Sequence, residues 1–127
     1  MQARQVTTKV READWAAFQA ILADDGLTPG RTLGKVIALV AVDGTLLRQL
    51  ADRDRAASTQ AAGEWLVPRI VYPIVDDAQW DEFLALAAFY KMTVSAAVAV
   101  LVHSVAAGRL VLEVKVRARL PRATSVH

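Results

Sequence analysis

Residues 4–41 and 69–106 carry one pattern written twice. Displaced by 65 positions, the two stretches align without a gap and share eleven identities: Arg4/Arg69, Val6/Val71, Val10/Val75, Ala13/Ala78, Trp15/Trp80, Phe18/Phe83, Ala20/Ala85, Ala23/Ala88, Thr28/Thr93, Val40/Val105 and Ala41/Ala106. Alanine matches weigh little in an alanine-rich chain, but the Trp, Phe and Thr matches do not arise cheaply, and duplication accounts for them. A unit of roughly 40 residues buries too little surface to fold alone. Two copies in one chain therefore predict a shared core.

Each copy shows the same succession of periodicities. Gln5–Val10 and Ile70–Val75 are β-rich and the right length for a strand. A helix of about four turns follows, with Trp15, Phe18, Ile21 and Leu22 along one face in copy one and Trp80, Phe83, Leu84 and Ala87 in copy two. Asp76 suits the N-cap of the second of these helices, whereas Arg11, its counterpart, has no acceptor to cap with. Gly26-Leu27-Thr28-Pro29 then interrupts copy one: Gly26 fits a left-handed position after a helix, Thr28 an N-cap and Pro29 a first helical turn. Lys91-Met92-Thr93-Val94 keeps only the threonine. A second helix closes each copy, with Leu33, Val36, Ile37 and Val40 matched by Val98, Leu101, Val102 and Val105.

The expected fold class is therefore mainly α with short β, a strand-helix-helix order occurring twice. The expected segments are copy one over 1–43, a partly helical, partly flexible linker over 44–68 (Leu46, Leu47 and Leu50 at helical spacing), copy two over 69–108, and a basic tail over 109–127. In that tail Leu110–Leu120 alternates apolar and charged residues, which predicts an amphipathic strand.

With 54% apolar residues the chain can build a real core. The absence of cysteine excludes a disulfide framework and thiolate metal sites, which fits a cytoplasmic location. The N-terminus has no apolar segment of the kind a signal peptide needs. Met92–Gly108 is uncharged over 17 residues, but its Thr93, Ser95, His103 and Ser104 and its many alanines predict a buried helix rather than a membrane span. Net charge is only +2, yet Arg109, Lys115, Arg117, Arg119 and Arg122 stand against Glu113 alone in the tail. Such a cluster suits a polyanion, and equally a solvated basic end.

Other candidate chemistry fails. Gly30-Arg-Thr-Leu-Gly34-Lys35 is one residue short of a phosphate-binding P-loop and has no Ser or Thr after the lysine. His103 and His127 are far apart with no cysteine to join them, which argues against zinc, and His103 reads as a packed or helix-surface residue. Asp24-Asp25 and Asp76-Asp77 lie at helix ends with no nucleophile in view. Trp15 and Trp80 fall on apolar stripes and read as core. No enzyme, cofactor or metal is expected.

The strand of about six residues, the four-turn helix, the Gly-x-Thr turn and the second amphipathic helix resemble the ribbon-helix-helix family of Arc/MetJ-type DNA-binding proteins, over roughly 80 residues. The resemblance implies a tandem pseudo-dimer whose two strands pair as an antiparallel ribbon over four helices. It further implies a sequence-specific binder of double-stranded DNA, a repressor or a plasmid or phage accessory protein. Its base-reading residues would be Gln5, Thr7 and Lys9, which alternation turns outward from Val6 and Val10. Phosphates would meet the second helix at Thr28, Gly30, Arg31 and Lys35.

Copy two departs from that pattern: its outward positions are Ile70, Tyr72 and Ile74, and Pro73 replaces Thr8. Three readings stay open. The mixed ribbon enters DNA with copy two touching thymine methyls; copy one pairs with copy one of a second chain in a homodimer; or the tail strand or a partner protein covers the apolar face. Tyr72, Lys115, Arg117 and Arg119 are candidate auxiliary contacts to DNA or a partner. The rival function is a protein-interaction module, a phage antagonist or an antitoxin-like partner of a host protein, with DNA reading lost.

Overall fold

The computed structural model describes residues 1–60 and 65–110 (side chains of 58–60 excepted), and these residues form five helices and four short strands. In chain order they are β1 (Gln2–Ala3), β2 (Val6–Arg11), α1 (Glu12–Asp24), α2 (Pro29–Val42), α3 (Gly44–Gln60), β3 (Leu66–Val71), β4 (Ile74–Val75), α4 (Asp77–Phe89) and α5 (Val94–Ala106).

This order corrects the expected tandem of two β-α-α units. The stretch expected as a partly flexible linker is largely a 17-residue helix, α3. Leu47, Leu50 and Ala51 are buried from it, and it packs on α2, α4 and α5, so it belongs to the core. Each half also holds two strands rather than one. β3 starts at Leu66, inside the expected linker, and breaks at Tyr72-Pro73, where Pro73 has no N–H for a ladder. There the Pro73 carbonyl accepts from the Arg4 backbone N–H at 2.9 Å. Pairing runs β1 with β4 and β2 with β3, both antiparallel. Beyond Leu110, the expected C-terminal strand lies outside the described residues.

Helix ends follow local chemistry. Asp76 accepts from the Gln79 backbone N–H and Thr93 from that of Ala96, each capping its helix. Arg11 precedes α1 without a side-chain cap, as its chemistry requires. After α1 the chain turns through Gly26 at φ +66°, with Leu27 N–H bonded to the Leu22 carbonyl at 2.8 Å. After α4 the same turn passes through Lys91 at φ +60°, with Met92 N–H on the Ala87 carbonyl at 2.8 Å. With the Gly26 N–H on the Ala23 carbonyl at 3.2 Å and the Lys91 N–H on that of Ala88 at 3.0 Å, each turn has the paired bonds of a Schellman termination.

The two halves exchange contacts. α1 packs on α5 and α2 on α4, while α5 lies against β2 and α2 against β4. Phe18, Leu22, Leu33, Ile37, Phe83 and Leu101 form the centre of one buried cluster. The repeated Arg and Trp also pair across the halves: the Arg4 guanidinium lies 5.8 Å from the Trp80 ring centre, and that of Arg69 5.9 Å from the Trp15 ring centre. Among the described residues no single helix is long and apolar enough to cross a membrane; α4 and α5 reach that composition only as a pair bent by 99°. α5, the uncharged stretch, is buried from Ala97 to Val105.

Candidate nucleic-acid interface

The register of β2 on β3 sets Val6 opposite Val71, Thr7 opposite Ile70, Thr8 opposite Arg69, Lys9 opposite Pro68 and Val10 opposite Val67. Opposed residues share a face, and neighbours along a strand alternate. The inner face holds Val6, Thr8, Val10 and Val71, all buried. The Thr8 hydroxyl donates to the Ser95 carbonyl at 2.7 Å and so ties β2 to α5.

The outer face is divided lengthwise. On the β2 side stand Gln5, Thr7 and Lys9, all exposed. On the β3 side stand Leu66, Pro68, Ile70 and Tyr72, also exposed; Trp65, just before β3, and Ile74, in β4, are exposed as well. The three expected base-reading residues thus share one edge of a solvent-facing two-stranded ribbon, and of the three apolar residues of copy two Ile70 and Tyr72 stand on the same face, while Ile74 belongs to β4 in the other sheet.

α2 starts beneath β4. A Cβ on Gly30 would lie 2.5 Å from the Tyr72 carbonyl oxygen, and one on Gly34 1.9 Å from that of Ile74. These two glycines, one turn apart, let the helix and strand backbones touch. That is a packing role for Gly30 which its expected place at a phosphate did not include. Arg31 and Lys35, each the next residue along, are exposed, as is Thr28. Thr28 holds the N-cap position by its backbone, but its side chain makes no capping bond. Lys115, Arg117 and Arg119 lie outside the described residues, as does His127.

At the far end of β2 sits a buried polar cluster that the periodicities did not reveal. The Arg11 guanidinium bonds Asp54 at 2.8 Å and also Asp14. Nδ1 of His103 faces both oxygens of Asp54, at 3.1 and 3.2 Å, and Nε2 accepts from the Arg11 backbone N–H at 3.1 Å. Arg109 approaches Asp54 at 3.6 Å. Burial pushes the Asp54 carboxyl up, but hydrogen bonds from His103 and Arg11 and the Arg11 charge more than offset this and hold it below the usual carboxylate range. Burial also works against the charge on Arg11, and its bonds to Asp14 and Asp54 reverse that and raise its pKa. The Nε2 lone pair is already used, and among the described residues no nucleophile stands within the cluster. Its chemistry is therefore that of a fastener between β2, α3 and α5. One signal for it lay in the sequence: Asp54 falls on the Leu47, Leu50, Ala51 stripe at helical spacing, an acid in a core position.

Among the described residues no group of three or more His, Cys, Asp or Glu side chains is placed to hold a metal ion. Comparison with protein-family models, with curated proteins and with solved structures finds no match to this chain.

Proposed function

We propose that the chain is a sequence-selective binder of double-stranded DNA, acting as a regulator without a catalytic step, and that it reads the major groove with the outer face of the β2–β3 ribbon. The observation that carries this is the alternation along β2: Val6, Thr8 and Val10 buried, Gln5, Thr7 and Lys9 exposed. A two-stranded ribbon fits a major groove. Gln can bond adenine through two atoms, Lys can bond guanine, and Thr can bond either or pack on a thymine methyl. Arg31 and Lys35 flank the ribbon from α2 and suit phosphate. The test is selection of bound fragments from random duplex DNA by the full chain at two salt concentrations. Recovery of a consensus, with binding that weakens steeply as salt rises, supports the reading; retention of no fragment at low salt refutes it.

A second reading, a protein-interaction module, has its own observation. Leu66, Ile70 and Tyr72 are each at least half exposed in one row, at 53, 55 and 51%, and a contiguous apolar surface of this kind commonly marks a partner site. A stoichiometric complex with one purified partner, dissociated by Ile70→Asp, would favour it.

A further inference from the structure

We infer that one chain selects a duplex site without two-fold symmetry, one half chosen by hydrogen bonds and the other by thymine methyl groups; this rests on the duplex-binding reading above. The register places Thr7 beside Ile70 and Lys9 beside Pro68. Across a lateral distance of about 5 Å the ribbon surface therefore changes from hydrogen-bonding to apolar. Gln5, Thr7 and Lys9 offer side-chain donors; Leu66, Pro68 and Ile70 offer none, and Tyr72 offers only its hydroxyl.

Whatever covers the apolar row also meets the polar one. A wholly apolar protein surface would bury Gln5 and Lys9 without partners, which is costly. The major groove supplies both chemistries side by side: acceptors on guanine and adenine, and at each thymine a C5-methyl, the apolar group of that groove. The flanking charge is distributed to match. Lys9 brings a cation to the hydrogen-bonding strand. The apolar row has no cation of its own on the outer face, but α2 lies directly against β4 and carries the exposed Arg31 and Lys35 there. Phosphates beside the methyl-reading half would be held by α2. Operator symmetry mirrors protein symmetry, and here both strands come from one chain with different outward residues at each paired position. The resulting site has a polarity.

The experiment uses the full chain and the duplex it selects. That duplex is rebuilt with deoxyuridine for thymine, one half at a time, which removes the methyl and leaves the pairing edge intact. An asymmetric consensus is expected. Uracil in one half should weaken binding about three- to tenfold and in the other leave it unchanged. Ile70→Ala and Tyr72→Ala, both at exposed positions, should remove most of that methyl dependence and keep the preference in the opposite half, with an unaltered circular dichroism spectrum confirming the fold. A palindromic consensus, or affinity indifferent to thymine methyls in both halves, overturns the inference and leaves duplex binding standing. Enrichment of no sequence overturns both.

Discussion

The backbone N–H of Arg11 donates to Nε2 of His103 at 3.1 Å, joining residues 92 positions apart at the point where β2 passes into α1. The bond needs a lone pair on Nε2, so the ring proton sits on Nδ1 and points at Asp54. One buried acid thereby orients a histidine on α5 and an arginine at the end of β2, from a helix expected to be linker.

Asp54→Asn should cost about 3–5 kcal/mol of unfolding free energy in urea titrations, because it leaves the buried Arg11 guanidinium short of a carboxylate. The pH dependence follows from the lowered pKa of Asp54. With the folded value below the unfolded one, the unfolded chain binds the proton more readily, and stability rises with pH. The contribution is present above the unfolded value, about 3.9, and is lost as pH falls through the lower folded one. Wild type should therefore lose stability in that acid range more steeply than Asp54→Asn. Parallel curves would remove Asp54 from the account.

Gly34→Ala should be among the most damaging small substitutions. The new Cβ would sit 1.9 Å from the Ile74 carbonyl oxygen, a backbone atom that cannot swing aside. Separation of α2 from β4 should cost about 1–3 kcal/mol or more. Gly44→Ala makes the control: its Cβ would meet only the Leu86 side chain, at 3.1 Å, and the denaturation midpoint should move little.

Gly26 and Lys91 hold equivalent left-handed turns, one with the residue that adopts them freely and one without. Lys91→Gly should raise stability by about 0.5–1 kcal/mol by relieving the positive φ. Gly26→Ala should lower it by about 1 kcal/mol although nothing lies within 4 Å of the added methyl. Thermal unfolding of the two variants should shift in opposite directions.

Thr8 and Thr32 are both buried, but only Thr8 uses its hydroxyl: it donates to Ser95, whereas the Thr32 Oγ1 has no partner among the described residues. Thr8→Val should cost about 1 kcal/mol. Thr32→Val, nearly the same shape, should be neutral or stabilising, since a buried unpaired hydroxyl costs free energy. Equal losses in the two variants would contradict this assignment.

Much of this architecture is written in periodicity. The helical stripes at Trp15, Phe18 and Leu22 and at Val98, Leu101 and Val102, the caps at Asp76 and Thr93, and the outward set Gln5, Thr7 and Lys9 are all local patterns, and local patterns survive in sequence. What was hidden depends on distance. The helical spacing of Leu46, Leu47 and Leu50 marks only the start of α3 within a partly helical linker, yet a few buried side chains make it part of the core once α5 is there to receive them. The glycines at 30 and 34 fail as a phosphate loop in one dimension, and only the approach of β4 gives them a packing role. The doubling of each strand is not legible in sequence, because Gln2–Ala3 is too short to carry an alternation and pairs only through contact with Ile74–Val75.

The proposed interface makes a last prediction that separates charge from reading. Arg31 and Lys35 stand on α2, off the ribbon, where a phosphate contact is blind to sequence. Arg31→Ala and Lys35→Ala should weaken binding to all duplexes alike and reduce the dependence of affinity on salt by about one unit of slope each. Lys9→Ala and Gln5→Ala act at base edges instead. Each should cost about 1–3 kcal/mol on the selected duplex, far less on an unrelated one, and so narrow the gap between them. All four side chains are exposed, so unfolding free energies should stay within about 0.5 kcal/mol of wild type. Titrations on selected and scrambled duplexes at several salt concentrations measure both effects together. If Lys9→Ala and Arg31→Ala gave the same uniform loss, the ribbon would be only another charged surface, and selectivity would have to come from elsewhere in the chain.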